Sequence, residues 1–435
     1  MNSLQTLSSL KVLFLGNTCN NNFSFLRYLE DLGIDSTLAL YSDEGYPDSN
    51  PIHSPEWDTF NFDRYSHKII RLSIPNSPKA IIGDPRFLRL PPDLRSLSRI
   101  IDNHDIVIGS GISPSLFFRM KKRMDIFYPI STGIEWVEEN ENYKKLQKFG
   151  IEQLFRRYIY KTQIEGIRSS RQVVSCCGGT TSVLRKHGIP SKSLMIPQYY
   201  PESFAQSDLD SSADEDFLAV IKTIEQNTTF KIFAFMRQLW VYNDSIHHEV
   251  EWSSANKRND ILVHGFKLFL DSNPSANILL YLSEWGPDVV KSKELVDQLG
   301  LDDYVIWLPL MPRKYISYIL QRHADIGVGE FVRGPDLLWG STGWECLAHG
   351  IPYMETLNFH DDGFEGMFGF PLPPKILNVD SAIDAFTSIS QIYSNPVTAR
   401  DEFLGNKLWF ADYIVKQTLK NWTDLFCSLR GTSSC

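Results

Sequence analysis

The sequence alternates short apolar runs with amphipathic segments, and the alternation occurs in two series along the chain. The run Lys11–Gly16 is typical of a buried parallel strand, and a helical pattern follows it over about 23–32. Gly33 matches the C-terminal cap of that helix, and Thr37–Tyr41 predicts the next strand. A strand, a helix and a second strand in this order predict a βαβ unit, the building block of a doubly wound sheet.

The first series continues with further strand and helix signals and ends in a polar stretch. Strands are predicted over 105–109, 126–130, 172–175 and 193–197, and a long helix over 142–169. Residues 42–92 are rich in Pro, Asp and Ser, which predicts a long loop region. Residues 202–216 are acidic and serine-rich without apolar periodicity, which indicates a linker or surface loop.

The second series predicts a second Rossmann-like domain. Its predicted elements are strands over 231–235, 277–282, 304–308 and 325–329, and helices over 261–270, 288–299, 314–321, 342–349 and 399–429. A chain of 435 residues is too long for one hydrophobic core, so two or three domains are expected. We therefore predict domains over 1–205 and 229–398, a linker region over 206–228 and a helical tail over 399–435.

Composition excludes several classes of protein. A net charge of −9 argues against a protein that mainly holds nucleic acid, because neutralising phosphates needs a basic surface. The 6 cysteines lack the spacing of a zinc site, and such sparse use suits a reducing compartment. No secretory signal pattern and no apolar run of membrane-spanning length is recognised, so we expect a cytoplasmic protein without a metal.

A glycine-rich helix start carries the most specific signal in the sequence. Gly340 and Gly343 permit a tight turn, while Ser341 and Thr342 offer capping hydroxyls. The first amides of a helix, together with its dipole, bind a diphosphate. Glu345, expected in the first turn, could accept hydrogen bonds from ribose hydroxyls. The alternative is a capped helix with a surface glutamate, because glycine and serine are common at helix starts.

The stretch from residue 231 to about 353 resembles the C-terminal domain of glycosyltransferase family 4. The matching features are Arg237 after the first strand, Lys257 before the first helix, and Trp344-Glu-Cys-Leu-Ala-His-Gly-Ile-Pro352. The resemblance implies an α/β GT-B fold, in which two Rossmann-like doubly wound domains face a central cleft and the C-terminal helix packs back toward the first domain. It also implies retaining, metal-independent transfer from a nucleotide diphosphate sugar, used as co-substrate with no other cofactor. Arg237 and Lys257 would hold the diphosphate and Glu345 the ribose.

The sugar and base contacts are less defined by the resemblance. The family has two glutamates separated by seven residues, and this chain has Leu337 where the first is expected. Asp336 and Glu330 are the alternatives for approaching the donor sugar. Leu310 lies in the segment at the end of the predicted strand 304–308 and should line the pocket of the nucleobase.

The N-terminal half resembles the same family on the acceptor side. Asn17, Asn20 and Asn21 belong to a Gly-Asn-x-x-Asn-Asn loop after the first strand, and Thr132, Gly133 and Glu135 belong to a Thr-Gly-x-acid segment. Amides in such loops can bind sugar hydroxyls without adding charge. Turn formation is the alternative for the asparagines, and a solvated helix start is the alternative for the glutamate.

Basic runs in the first half favour peripheral contact with an anionic membrane, at its inner face, where a lipid-linked acceptor would lie. The runs 119–123 and 156–171 interleave Arg and Lys with Phe and Tyr, although such runs are also common on solvated helices. The sequence thus predicts a hexosyltransferase-like enzyme acting on a glycan or lipid-linked acceptor. The alternatives are a sugar-nucleotide epimerase of the same architecture and a catalytically inactive nucleotide-sugar-binding protein.

Overall fold

The computed structural model divides the chain into two compact units. Unit 1 comprises Met1–Tyr200 and Ile414–Cys435, and unit 2 comprises Pro201–Tyr413. The residues that the structure describes are 9–44, 51–77, 79–82, 94–129, 134, 151–175, 178–203, 209, 214–241, 256–332, 340–357, 364–365 and 373–431.

Unit 1 contains a seven-stranded sheet in which every paired strand runs parallel to its neighbour. The strand order is β3-β2-β1-β4-β5-β6-β7, which is the order of a doubly wound Rossmann sheet with one added strand. The strands are β1 Lys11–Leu15, β2 Asp35–Leu40, β3 Ile69–Arg71, β4 Ile106–Gly109, β5 Ile126–Phe127, β6 Gln172–Ser175 and β7 Lys192–Ser193.

Helices connect these strands, as parallel pairing requires. They are α1 Asn21–Asp31, α2 Pro55–Asp58, α3 Phe62–Ser66, α4 Lys79–Ile82, α5 Leu94–Asp102, α6 Ser113–Met120, α7 Ile151–Ser169 and α8 Gly178–Lys186. Gly33 has φ +74 directly beyond the C-cap of α1, in agreement with its predicted capping position.

The prediction of one long loop over 42–92 is wrong in its described part. Two apolar residues, Ile69 and Ile70, form the core of β3, which pairs with β2 through Leu38 and Ala39. Three short helices also fall between β2 and α5. Edge elements of three to five residues are too short to produce a readable periodicity, so only tertiary pairing reveals them.

Unit 2 repeats the topology with a six-stranded parallel sheet of order β10-β9-β8-β11-β12-β13. The strands are β8 Phe230–Ala234, β9 Ile278–Ser283, β10 Val305–Leu308, β11 Ile326–Val328, β12 Tyr353–Glu355 and β13 Leu377–Asn378. The helices are α9 Glu215–Gln226, α10 Asn259–Ser272, α11 Val289–Gln298, α12 Arg313–His323, α13 Ser341–His349, α14 Ala382–Ser394 and α15 Pro396–Trp409.

Helix α9 lies inside the stretch 206–228 that the sequence predicts as a linker region. The ring of Phe217 packs against Tyr315 of α12 at a centroid distance of 5.3 Å, and the hydroxyl of Tyr318 donates to Glu225. The part of this stretch over 215–226 therefore forms an ordered helix of unit 2, although its acidic composition suggests a solvated loop.

The helical tail continues from α15 through a π-helix, Phe410–Gln417, into α16, Thr418–Arg430. Trp422 of α16 is fully buried, its ring lies 5.0 Å from that of Phe25, and its Nε1–H donates to the Met195 carbonyl. The predicted packing of the C-terminal helix on the first domain is confirmed by these contacts within unit 1. Among the helices described, none combines the length and apolar character that a membrane crossing requires.

The strand order defines where ligands are expected in each unit. In an open α/β sheet, ligands bind at the carboxyl ends of the strands where the strand order reverses. This point lies between β1 and β4 in unit 1, and between β8 and β11 in unit 2. The residues that follow these four strands are therefore the first place to search for a site.

Candidate functional site

The start of α13 forms one candidate site in unit 2, which we call the helix-start site. The helix begins at Ser341, and its N-cap is Gly340, without a side-chain capping hydrogen bond. The prediction that Ser341 or Thr342 supplies the capping position is therefore wrong. Instead, the Gly340 N–H donates to Oε1 of Glu355 at 3.3 Å. Thr342 is the second residue of the helix, and it is buried.

Glu345, the predicted ribose ligand, lies deeper than expected. It is the fifth residue of α13 rather than a residue of the first turn, and only 2% of it is exposed. Its Oε1 lies 2.5 Å from Nε of Arg313, the first residue of α12. This buried ion pair joins the helix-start site to the end of β10, which motif spacing alone does not indicate.

Lys257 lies at the point where α10 begins, and its ammonium group pairs with Glu330 at 2.5 Å. Glu330 comes two residues after β11, so the pair lies at the reversal of strand order. The Lys257 N–H donates to the Leu239 carbonyl at 2.6 Å, which fixes its backbone beside the segment that follows β8.

Arg237 belongs to that same segment, three residues after the end of β8. Its side chain packs over Gly286, which has φ +118. A Cβ added at Gly286 would lie 2.8 Å from the Cγ of Arg237. The neighbouring Gln238 N–H donates to the Trp285 carbonyl at 2.9 Å. The described residues offer no hydrogen-bond or ion-pair partner to the Arg237 guanidinium, in contrast to the paired ammonium group of Lys257.

Glu355 is a member of the helix-start site that motif spacing does not identify. It ends β12, is 2% exposed, and its Oε2 has no hydrogen-bond partner among the described residues. Burial raises its pKa well above the usual range, and the negative charge of Glu330 raises the pKa further. The backbone amides of Gly340 and Glu330 and the charge of Lys257 act in the opposite direction, but they do not offset burial.

The other donor-side predictions are placed only in part. Leu310 lies two residues after β10 and is half-buried, which is compatible with a wall of a base pocket. Gly343 occupies the first turn of α13. Asp336 and Leu337 lie outside the described residues.

A second candidate site surrounds residues 16–22 of unit 1, which we call the asparagine loop. It follows β1, at the reversal of strand order in that sheet. The Asn17 side chain donates to Asn20 Oδ1 and to the His53 carbonyl, both at 2.7 Å, and accepts from the Phe23 N–H at 3.0 Å. Asn20 donates to the Ser54 carbonyl at 2.9 Å.

These bonds are directed inward, and both asparagines are buried. In this structure their side chains therefore hold the loop against residues 52–54, as the turn-forming alternative predicts. Asn21 is the first residue of α1 and is also buried. Thr132, Gly133 and Glu135 lie outside the described residues, so their acceptor role stays a prediction.

Glu44 anchors the asparagine loop from the end of β2. Its carboxylate accepts the Asn17 N–H at 2.9 Å, the Tyr41 N–H at 3.3 Å and a side-chain N–H of Asn76 at 2.9 Å. Burial raises the pKa of Glu44 to about 7, although these three hydrogen bonds act to lower it.

His53 lies on the other side of the same loop. Its Nδ1 accepts the Cys19 N–H at 2.8 Å, and burial lowers the pKa of the imidazole, which keeps the ring neutral. Cys19 and Asn20 have φ of 51 and 58, so the loop holds two residues in the left-handed region.

Sequence reasoning missed Arg313, Glu355, Glu44 and His53. A usable signal existed for the two glutamates, because each is an acidic residue at or just beyond the end of an apolar strand. Within the described part of the chain, no three His, Cys, Asp or Glu residues are grouped so that they could hold a metal ion.

Comparison with known proteins identifies the fold. No protein-family model matches the chain, and no curated protein matches it in sequence. A solved glycosyltransferase from Rickettsia africae is similar over 98% of this chain and 99% of its own, with 13% identity and a TM-score of 0.57. The structure therefore has the GT-B fold that the sequence resemblance predicts.

Two further solved structures agree with this fold. Anabaena HepE in complex with UDP is similar over 95% of this chain and 100% of its own, with 12% identity and a TM-score of 0.54. Sucrose-phosphate synthase from Thermosynechococcus elongatus is similar over 96% and 100%, with 12% identity and a TM-score of 0.54.

Proposed function

We propose that this chain is a glycosyltransferase that moves a sugar from a nucleotide diphosphate sugar to a glycan or lipid-linked acceptor. The observation that carries the proposal is the convergence at the strand-reversal edge of unit 2. The segment bearing Arg237 is hydrogen-bonded to the backbone of Lys257, and Lys257 pairs with Glu330 beside the start of α13. Two cations and a helix N-terminus at one sheet edge match the charge of a diphosphate.

Transfer needs stabilisation of the negative charge that builds on the leaving diphosphate. Arg237, which lacks a partner among the described residues, is available to a phosphate oxygen. Lys257 would exchange Glu330 for a phosphate oxygen, while the helix dipole acts in the same direction. In this mechanism two side chains and a dipole supply the charge that a metal ion supplies elsewhere, so transfer is metal-independent.

Family resemblance extends the proposal to the stereochemistry of transfer. We expect retention at the anomeric carbon, with the leaving phosphate helping to remove the proton of the acceptor hydroxyl. Glu345 is expected near the ribose, and its ion pair with Arg313 would orient the carboxylate. Chelation with EDTA should leave turnover unchanged.

A panel of nucleotide sugars tests the donor. Thermal shifts with UDP-, GDP- and ADP-sugars should identify a donor that stabilises the protein, since a ligand that binds only the folded state raises its melting temperature. Incubation with that donor alone should give at most slow hydrolysis. Conversion into another sugar nucleotide would indicate an epimerase, and binding without turnover across an acceptor panel would indicate an inactive binding protein.

Two variants test the assigned roles. Arg237→Ala and Lys257→Ala should each lower turnover about 100- to 1,000-fold, the loss that follows removal of a group that stabilises transition-state charge. Lys291→Ala is the matched control, because Lys291 is an exposed cation of α11 in the same unit. Near-normal turnover in both variants would remove these residues from the mechanism.

We also propose that a basic and aromatic surface of unit 1 contacts an anionic bilayer. Phe118 is 40% exposed and Tyr158 is 42% exposed, and they line one shallow cavity together with Lys121 and Lys122. Lys122 is paired with Asp102, whereas the described residues offer Lys121 no partner. Amphipathic aromatic rings beside cations fit the interface of a membrane that presents acidic head groups.

Vesicle co-sedimentation tests this surface. The protein should bind vesicles that contain phosphatidylserine better than neutral vesicles, by about 1 kcal/mol for each basic residue near the surface. Charge reversal at Lys121, Lys122 and Arg123 should remove the preference. Equal binding of wild-type protein to both vesicle types would show that the surface is only solvated.

A further inference from the structure

The two carboxyl oxygens of the buried Glu355 have different surroundings. Its Oε1 accepts the N–H of Gly340, the N-cap of α13, whereas its fully buried Oε2 has no described partner. An unpaired buried carboxylate is costly, so such a group either neutralises or gains a partner. The carboxyl lies under the helix end that we assign to the donor diphosphate.

The unpaired oxygen faces the first turn of α13. A Cβ added at Gly343 would lie 3.0 Å from Glu355 Oε2 and 2.2 Å from the Tyr353 hydroxyl. That hydroxyl is also buried without a described hydrogen-bond partner. Glycine at position 343 therefore leaves space for two polar groups directly beneath the amides of the helix start.

A second carboxyl, that of Glu330, also lies close to the helix start. A Cβ added at Gly340 would lie 2.8 Å from Cδ of Glu330, whose charge is balanced by Lys257 at 2.5 Å. If a diphosphate draws Lys257 away, Glu330 loses this counter-ion, and the phosphates bring further negative charge. Full ionisation of both carboxyls then conflicts with anion binding at this helix end.

We infer that Glu355 is a positioning residue, which accepts the Gly340 N–H while its own carboxyl is a neutral acid, and that a nucleoside diphosphate binds here together with a proton. This inference rests on the donor site proposed above. The proton comes from solvent and resides on the Glu355 carboxyl, so no bond in the nucleotide forms or breaks. The charged and titratable groups that face Glu355 are Glu330 after β11, Lys257 before α10, Tyr353 on β12 and Cys346 on α13.

The direction of the pH dependence follows from this arrangement. Burial and Glu330 already raise the pKa of Glu355, and added phosphate charge raises it further in the complex. The complex therefore binds more protons than the free protein, and affinity falls as pH rises. Uptake of one proton gives a loss of up to about tenfold in affinity for each pH unit.

Calorimetric titration tests the inference with the tightest binder among ADP, GDP and UDP. In wild-type protein, titrations in two buffers of different ionisation heat should show proton uptake, and affinity should fall as pH rises. Glu355→Gln keeps the shape and an acceptor for the Gly340 amide but carries no titrating group. It should retain the low-pH affinity and show only the shallow dependence that comes from titration of the nucleotide itself.

Two controls make the outcome independent of catalysis. Tyr353→Phe removes the neighbouring hydroxyl and should keep the wild-type pH dependence. In the nucleotide complex, the infrared absorption of protonated carboxylic acids should be stronger for wild-type protein than for Glu355→Gln, above the contribution that Glu44 makes in both proteins.

The outcomes separate this inference from the proposed function. Absence of binding by all three nucleotides would overturn both. Binding without proton uptake by the wild-type protein, equal pH dependence in wild-type and Glu355→Gln, or an infrared band unchanged by the substitution would overturn the inference alone. The wild-type measurements remain decisive if the glutamine variant fails to fold.

Discussion

The two units place a buried glutamate at the carboxyl edge of their sheets, and the two glutamates differ in their partners. Glu44, beyond β2 of unit 1, accepts three N–H groups. Glu355, at the end of β12 of unit 2, accepts the Gly340 N–H through one oxygen and leaves the other without a described partner. Glu44 behaves as a structural support of the asparagine loop, whereas Glu355 retains hydrogen-bonding capacity under a helix end.

This difference extends to the residues around each glutamate. In the asparagine loop, Asn17 and Asn20 direct their amides inward to backbone carbonyls. In the helix-start site, the charged groups form two ion pairs, Lys257 with Glu330 and Arg313 with Glu345, and the first pair includes a cation that we assign to the donor. Polar residues at a sheet edge therefore indicate a binding site only when the fold does not already use all of their hydrogen-bonding groups.

The largest expected effect on stability comes from the buried pair in the helix-start site. Arg313→Ala removes the cation of this pair from the buried Glu345 carboxylate of α13, which should lower the free energy of unfolding by about 3–5 kcal/mol. The double variant Arg313→Leu with Glu345→Leu removes both charges and should recover most of that loss. Urea unfolding monitored by tryptophan fluorescence measures both. A double variant no more stable than Arg313→Ala would contradict this account of the pair.

The next largest effect is the pH dependence of the contribution that Glu44 makes to the free energy of unfolding. Its pKa is about 7 in the folded protein against an ordinary value of 4.5, so the folded state holds the proton more tightly than the unfolded state. The Glu44 contribution is therefore fully present at low pH and declines between about pH 4.5 and about pH 7, by about 3 kcal/mol in total.

Glu44→Gln should remove this decline. Urea unfolding of wild-type and variant protein across that pH range measures the difference, with Glu294→Gln on the exposed face of α11 as the matched control. A wild-type stability that rises over the same range by the Glu44-dependent amount would reverse the sign of the argument.

A smaller effect tests how tightly the helix-start site is packed. Gly343→Ala brings a Cβ within 2.2 Å of the Tyr353 hydroxyl, and overpacking of this kind costs about 1–3 kcal/mol. Adding Tyr353→Phe deletes the oxygen and should restore part of the stability. Thermal unfolding measures the recovery, and equal melting temperatures of the single and double variants would show that the tyrosine is not the obstacle.

The comparison also explains which features the sequence could predict. Repeated apolar runs predicted six of the seven strands of unit 1 and four of the six strands of unit 2, because each run buries its own strand. Motif spacing located Arg237 and Lys257 at strand and helix ends, since it reports positions along one unit. The spacing could not reveal that Arg313 meets Glu345 or that Glu355 lies under Gly340, because these contacts join elements separated in the chain. The short strands β3, β12 and β13 were not predicted for the same reason, since each is defined by its pairing with neighbouring strands.

The smallest predicted effect concerns one left-handed residue in each region. Cys19 in the asparagine loop has φ 51, and Arg258 beside Lys257 has φ 50. Such a backbone costs a non-glycine residue about 1–2 kcal/mol, while glycine adds unfolded-state entropy of about 0.5–1 kcal/mol. Cys19→Gly should therefore raise the free energy of unfolding by about 0.5 kcal/mol, with Cys19→Ala as the control that removes the thiol but keeps the strain.

Arg258→Gly should have the opposite sign although the dihedral angle is nearly the same. The Arg258 guanidinium pairs with the Asp380 carboxylate at 2.7 Å and donates to the Asp380 carbonyl at 2.8 Å, and both bonds are lost with the side chain. Two partly buried, charge-assisted hydrogen bonds outweigh the relief of one strained residue. Urea unfolding of both glycine variants therefore separates backbone strain from side-chain anchoring. If both changed stability in the same direction, the dihedral angle alone would govern, and the contrast between the two regions would not extend to their backbones.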